Sequence, residues 1–243
     1  LVALLTGRYR QSKRMVTEFL DEVLGVPMSL GAVSRCEARV SAALQAPYAE
    51  AQASARAAPW ANVDETSWCE DKRGAWLWVM ATSLVTVLMV HRSRSKAAAK
   101  ALLGEHFAGI AITDRYGSYL WLDVQRRQVC WSHLDRDFQA MVDRGGGSGA
   151  VGRALLAVSA RMFKWWAWVE RGRRDRAWLK SKLPELQRAT RTALAAGVAG
   201  DDATTAGVCA EMLKVFPAFW TFVTVDGVEP TNNLAERSLR IGD

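Results

Sequence analysis

The apolar positions of the chain change their period twice. From Lys13 to Leu24 they recur at Met15, Val16, Phe19, Leu20, Val23 and Leu24, the spacing of one helical face, and Gly25 and Pro27 then break the run. Ser29 is placed to cap a second helix whose buried stripe would be Val33, Cys36 and Val40. Two short helices joined by a Gly-containing turn over residues 1–45 fit a helix-turn-helix and an ordinary helical hairpin, and the near balance of charge there leans to the hairpin. Under the first reading Ser29, Gly31, Ser34 and Arg35 face a DNA groove while Arg8, Arg10, Lys13 and Arg14 meet phosphates. The alanine-rich residues 46–59 predict a helical linker.

From Trp60 the period shortens to that of strands. Trp60–Trp68, Ala75–Thr82 and Val85–His91 read as three consecutive strands, with Glu70–Gly74 as the first hairpin turn. A helix over Ser93–Leu103, a short buried strand over Gly109–Thr113 and another over Gln128–Trp131 follow. Hairpin-linked strands followed by alternating helix and strand predict an α/β (α+β) mixed sheet covered by helices, over residues 60–243. From Leu134 to about Val215 the pattern is helical again, which predicts a helical region over about 140–225. Gly145–Gly149 reads as a flexible joint, because no Gly-Lys-Ser/Thr follows to make it a phosphate loop.

Half of the 243 residues are hydrophobic, enough for a proper core and too many for a disordered tail. The net charge of +7 favours a polyanionic partner. Its source is local: Arg153–Arg191 holds eleven Lys or Arg against three Asp or Glu, whereas the first fifty residues hold six against five. Trp165, Trp166, Trp168 and Trp178 sit among those charges; helical spacing favours a core role for the rings and a nucleic-acid surface for the charges. The apolar stretch Ala75–Val90 is too short to span a bilayer, so no membrane partner is expected. Four scattered cysteines without a Cys-x-x-Cys pair suit a reducing cytoplasm. Cys130-x-x-His133 has half of a zinc-ligand spacing with no second pair to complete it, so a structural zinc site is not expected.

Three acids stand in settings that can converge. Asp64 lies within a strand, Asp114 at the carboxyl end of Ile110–Thr113, and Glu236 at the opening of a helix. Each has a plain structural alternative: an exposed strand Asp, a helix cap, and a capping box with Asn233 as N-cap and Glu236 at N3. Together, three carboxylates on rigid elements can gather hard divalent ions for phosphodiester chemistry. No nucleophile motif for acyl transfer is present.

The motifs Asp-Glu-Thr-Ser-Trp at Asp64, Asp-Arg-Tyr-Gly-Ser-Tyr at Asp114, Cys-Trp-Ser-His-Leu-Asp-Arg-Asp-Phe at Cys130 and Glu-Pro-Thr-Asn-Asn-Leu-Ala-Glu-Arg ending at Arg237 occur in this order. In that combination the chain closely resembles the IS66 family of bacterial insertion-sequence transposases. The resemblance implies an RNase H-like catalytic domain with a helical insertion. It implies Asp64, Asp114 and Glu236 as a DDE triad holding two Mg²⁺ or Mn²⁺ ions, with Cys130, His133, Asn232 and Asn233 shaping the site. Element-end and target double-stranded DNA would be the substrates, met by the helix-turn-helix and by Arg171, Arg173, Arg174, Arg176, Arg237 and Arg240. Homo-oligomers on DNA, element-encoded accessory proteins and a nucleoid-associated location in the bacterial cytoplasm are further implications. Both ends look cut, and a truncated C-terminus makes a catalytically inactive DNA-binding fragment the alternative to an active enzyme.

Overall fold

The computed structural model describes residues 1–70 and 72–239, and they divide into two compact units, the first Leu1–Ala53 and the second beginning at Ser54. In the first, helix α1 (Lys13–Leu24) begins where the Ser12 side chain accepts the Met15 N–H at 3.2 Å and ends at Gly25, whose φ of 63° a side chain would resist. Helix α2 (Leu30–Arg56) is capped by Ser29, which accepts the Ala32 N–H at 3.1 Å. Leu5 from a π-helical turn (Leu4–Arg8), Val16, Leu20 and Val33 form the small core of this unit.

Two expectations change here. The second helix is not short: it runs 27 residues, through Pro47 and through most of the expected linker. The expected stripe also narrows, because the small core reaches only the start of α2 among the described residues. Val33 is buried, Cys36 half-buried and Val40 exposed, and on α1 Met15, Val23 and Leu24 are exposed.

The second unit is built on strands β1 (Trp60–Glu70), β2 (Arg73–Ala81), β3 (Thr86–His91), β4 (Ile110–Thr113) and β5 (Arg127–Val129), with α3 (Lys96–Leu103) between β3 and β4. They form one mixed sheet in the order β3-β2-β1-β4-β5. β1 pairs antiparallel with β2, which pairs antiparallel with β3; β1–β4 and β4–β5 are parallel. The β1–β2 hairpin is tighter than expected, and Lys72 takes a φ of 60° there; Asp71 of the expected turn lies outside the described residues. The last expected strand stops at Val129, and Trp131 already belongs to the next helix.

Helices α4 (Trp131–Arg144), α5 (Gly146–Glu170), α6 (Arg176–Val198), α7 (Ala203–Lys214), α8 (Thr221–Thr224) and α9 (Asn233–Leu239) follow. The large core joins sheet residues Ile112 and Val129 to Trp131, Phe138, Met162, Leu179, Phe219 and Phe222 of the helical region. Gln128 ties the two together: its side-chain amide donates to the carbonyls of Val129 and Phe219 and accepts the Phe222 N–H at 2.8 Å. The tryptophans behave as core: Trp166 is 8% exposed, and Trp165, Trp168 and Trp178 pack against the same cluster or one another.

The glycine run is not a flexible joint. Gly145 and Gly146 take φ of 75° and 52° to turn the chain, and α5 starts immediately. A few residues on, Gly152 lets α5 lie against α4. A Cβ there would stand 2.5 Å from the Phe138 carbonyl oxygen and 2.8 Å from the Val142 nitrogen. Among the described residues no helix is long and apolar enough to cross a membrane.

Candidate active site

Strand alternation decides where the acids of β1 go. Asp64 and Glu65 are sequence neighbours, so they leave the strand on opposite faces. Asp64 pairs across to Val79, on the face where Leu77, Val79 and Ala81 meet Ala235 and Leu239 of α9. Glu65 pairs across to Trp78 on the other face, where Tyr119 meets both of them. β4 runs parallel to β1 with Asn62 beside Ile112, so two residues further along each strand Asp64 and Asp114 come side by side. That places Asp114 just beyond the carboxyl end of β4.

Glu236 arrives from the far end of the sequence. The Asn232 side chain donates to the Val63 carbonyl at 2.9 Å, its main-chain N–H donates to Cys130 Sγ at 3.2 Å, and Trp131 N–H donates to the Pro230 carbonyl at 2.9 Å. These bonds sew the segment before α9 to β1 and to the start of α4. One turn later Glu236 therefore stands over the strand ends. The capping-box expectation fails, because α9 already begins at Asn233, so Asn233 is not its N-cap and Glu236 is not at N3. Glu236 Oε1 instead faces His133 Nδ1 at 3.8 Å.

Asp64, Asp114 and Glu236 line one cavity of about 330 Å³, together with Glu65, Arg94, His133 and Arg136. A larger groove of about 620 Å³ between α5 and α6 is mostly alanine-lined and has no comparable gathering of acids. Burial pushes the Asp64 carboxyl up to about 7, helped by the nearby charges of Glu65, Asp114 and Glu236. Its Oδ1 accepts the Glu65 N–H at 2.9 Å, which offsets only part of that cost.

These acids are supported by residues to which the sequence motifs assign no role. Arg94 Nε donates to Glu65 at 2.7 Å, its Nη2 lies 3.7 Å from Asp114 Oδ2, and its guanidinium stacks 3.7 Å over the Tyr116 ring. Tyr119 donates its hydroxyl to Glu65; burial and that carboxylate hold the phenol protonated, well above its usual range. Burial raises Glu65 too, against its two hydrogen bonds. Arg127 is fully buried and donates to Thr113 Oγ1 at 3.0 Å and to the Asp114 carbonyl at 2.6 Å, fixing the backbone that carries Asp114. Burial lowers its pKa to about 10, so it stays charged at neutral pH. Of these residues only Glu65 left a readable trace. A glutamate on the buried face of a strand demands a cation or hydrogen-bond partner.

The remaining expected residues fall in several places. Cys130 and His133 flank the start of α4 near Glu236, and Asn233 is the exposed first residue of α9. Arg171, Arg173 and Arg174 are exposed between α5 and α6, and Arg237 is exposed on α9. Arg176 is occupied: its guanidinium donates to the carbonyls of Phe222, Val225 and Val228 and pairs with Asp226 at 3.3 Å. In residues 1–53, Arg8, Arg10, Arg14, Gly31 and Arg35 are exposed, while Lys13 bonds Ser34 Oγ and Glu37, both at 2.9 Å. Arg240 lies outside the described residues.

No curated protein and no solved structure matches the chain. The sequence model of the family described as Transposase IS66 family matches residues 4–242. That match takes in the strands, the helical region and all three clustered acids, and the chain accordingly belongs to the IS66 transposase family.

Proposed function

We propose that the chain cleaves and joins DNA phosphodiester bonds at the ends of its element, with Asp64, Asp114 and Glu236 as the carboxylates that hold two Mg²⁺ or Mn²⁺ ions. The single observation that carries the reading is the convergence of these three acids, from β1, from the end of β4 and from α9, on one cavity. Their mutual repulsion and the desolvation of Asp64 make the cavity a receptor for positive charge, so the residues fit such ions. When bound, ions of this kind stabilise the attacking and leaving oxygens of a phosphodiester. An RNase H-like fold agrees with the sheet order β3-β2-β1-β4-β5 and its antiparallel-then-parallel directions.

The protein's own groups then have separable tasks. Arg94 restrains Glu65 and stands beside Asp114, Arg127 fixes the Asp114 backbone, and exposed Arg136 on the cavity rim is placed to orient a DNA phosphate. Arg171, Arg173 and Arg174 offer a basic loop to the DNA backbone, and α1 and α2 would act as the helix-turn-helix. The test is Asp114→Asn assayed on element-end DNA with Mg²⁺. Loss of strand scission with retained DNA binding is expected; full metal-dependent cleavage by the variant refutes the reading.

A further inference from the structure

Beside the acids lies a group of different chemistry. Cys130 is the residue before the first turn of α4, His133 lies in that turn, and Glu236 comes from α9. One ligand atom from each, the Cys130 sulfur, a ring nitrogen of His133 and a carboxylate oxygen of Glu236, all lie within 4.8 Å of one another. His133 Nδ1 and Glu236 Oε1 face each other at 3.8 Å, both shut off from solvent and both without a hydrogen-bond partner among the described residues. A shared proton would draw them to about 2.7–3.2 Å. Two ligands on one tetrahedral zinc ion, each about 2.0–2.1 Å from it, stand about 3.4 Å apart. The observed gap is therefore close to the span of a shared ion and too long for a hydrogen bond.

The sulfur is prepared for the same task. Cys130 is fully buried, and the main-chain N–H of Asn232 donates to its Sγ at 3.2 Å, joined by those of Ser132 and His133. These bonds hold the sulfur between the two segments that carry His133 and Glu236.

We propose that Cys130, His133 and Glu236 bind one borderline-soft divalent ion of the Zn²⁺ class, at a site distinct from the hard-cation site of Asp64 and Asp114. Thiolate and imidazole select such an ion, whereas Mg²⁺ takes oxygen ligands. Glu236 lines both sites and has two oxygens, so its Oε1 can serve this ion while the other oxygen faces the cavity. The ion would clamp α9, only seven residues long, to the start of α4 and so fix where Glu236 stands.

The test uses Co²⁺ as the probe, titrated into the chelator-treated 243-residue chain without DNA, so its result is independent of whether the protein cleaves anything. Expected are one equivalent of tightly bound Co²⁺, a near-ultraviolet sulfur-to-cobalt charge-transfer band and the intense visible absorption of a tetrahedral ion, all displaced by Zn²⁺. Cys130→Ser should abolish the charge-transfer band, whereas Cys69→Ser and Cys209→Ser should retain it. His133→Ala, checked for folding by circular dichroism, should weaken Co²⁺ binding at least about tenfold, the loss that even an outer-shell partner can cause. Absence of the band, its survival in Cys130→Ser, or its disappearance on adding millimolar Mg²⁺ would each overturn the assignment.

Discussion

Replacing Asp64 by asparagine should make the protein more stable while removing its chemistry. Asp64 sits half-buried with its carboxyl pushed from 3.8 up to about 7, chiefly by burial and then by Glu65, Asp114 and Glu236. A folded-state pKa above the unfolded one means that the folded protein holds a proton the unfolded chain has already released. Stability therefore falls as pH rises from about 4 to about 7 and stays reduced above that. At about 1.36 kcal/mol per pH unit, the interval amounts to about 4 kcal/mol at pH 8. Solvent reaching the open cavity screens part of this, leaving about 2 kcal/mol as the expected gain. Asparagine can keep the hydrogen bond Asp64 makes to the Glu65 N–H, since its Oδ1 can still accept it. The assay is urea denaturation of wild type and Asp64→Asn at pH 5 and pH 8, in EDTA and in Mg²⁺. The variant should be more stable at pH 8 in EDTA and lose most of that advantage at pH 5. Mg²⁺ should stabilise the wild type more than the variant. A variant no more stable than wild type at pH 8 in EDTA would refute the argument that this carboxylate is held at a cost.

Three further outcomes are expected. Arg127→Met keeps the length of the side chain but removes the charged donor from the Asp114 carbonyl and Thr113 hydroxyl, which keep their 2.7 Å bond to each other, and should cost about 1.5–3 kcal/mol by denaturation. Gly152→Ala should destabilise by about 1–3 kcal/mol because its Cβ meets α4 backbone, whereas Gly147→Ala, with open space around it, should be neutral or stabilising by up to about 1 kcal/mol. Combined Arg171→Ala, Arg173→Ala and Arg174→Ala should lower the salt dependence of DNA affinity, measured by anisotropy, by a log–log slope of about 2–3. Arg176→Ala should instead lower stability, because its guanidinium is bonded to the 222–228 segment; an unchanged slope in the triple variant would remove that loop from the DNA surface.

Where a signal is local, the sequence carried it. Ser12 and Gly25 bound α1 because capping and a positive φ depend on neighbours a few residues away. The β1–β3 meander was legible from alternation alone, and the motifs around Asp64, Asp114 and Glu236 marked residues that the fold sets on one cavity. What stayed hidden depends on distant partners. Arg94 is recognisable only once Glu65 and Asp114 face it, and Tyr119 and Arg127 look like ordinary loop and strand residues until β4 and β5 pair. The glycines at 145–149 read as looseness because their composition says nothing of α4 lying against α5. The alanines of residues 46–59 suggested a separate helical linker, yet most of that segment continues α2, which runs to Arg56.

The bond from the Asn232 side chain to the Val63 carbonyl spans 169 positions, and this separation has a meaning in time. A ribosome adding about 5–20 residues per second needs about 10–30 s to pass from one partner to the other. Throughout that interval β1 and β2 present Leu77, Val79 and Ala81 without the helix that covers them, a face suited to a chaperone. The growing polypeptide meanwhile carries two of the three acids and lacks the third. Under the proposed function, a translation product released before position 232 carries the basic loop but lacks Glu236, and is expected to bind DNA without cutting it.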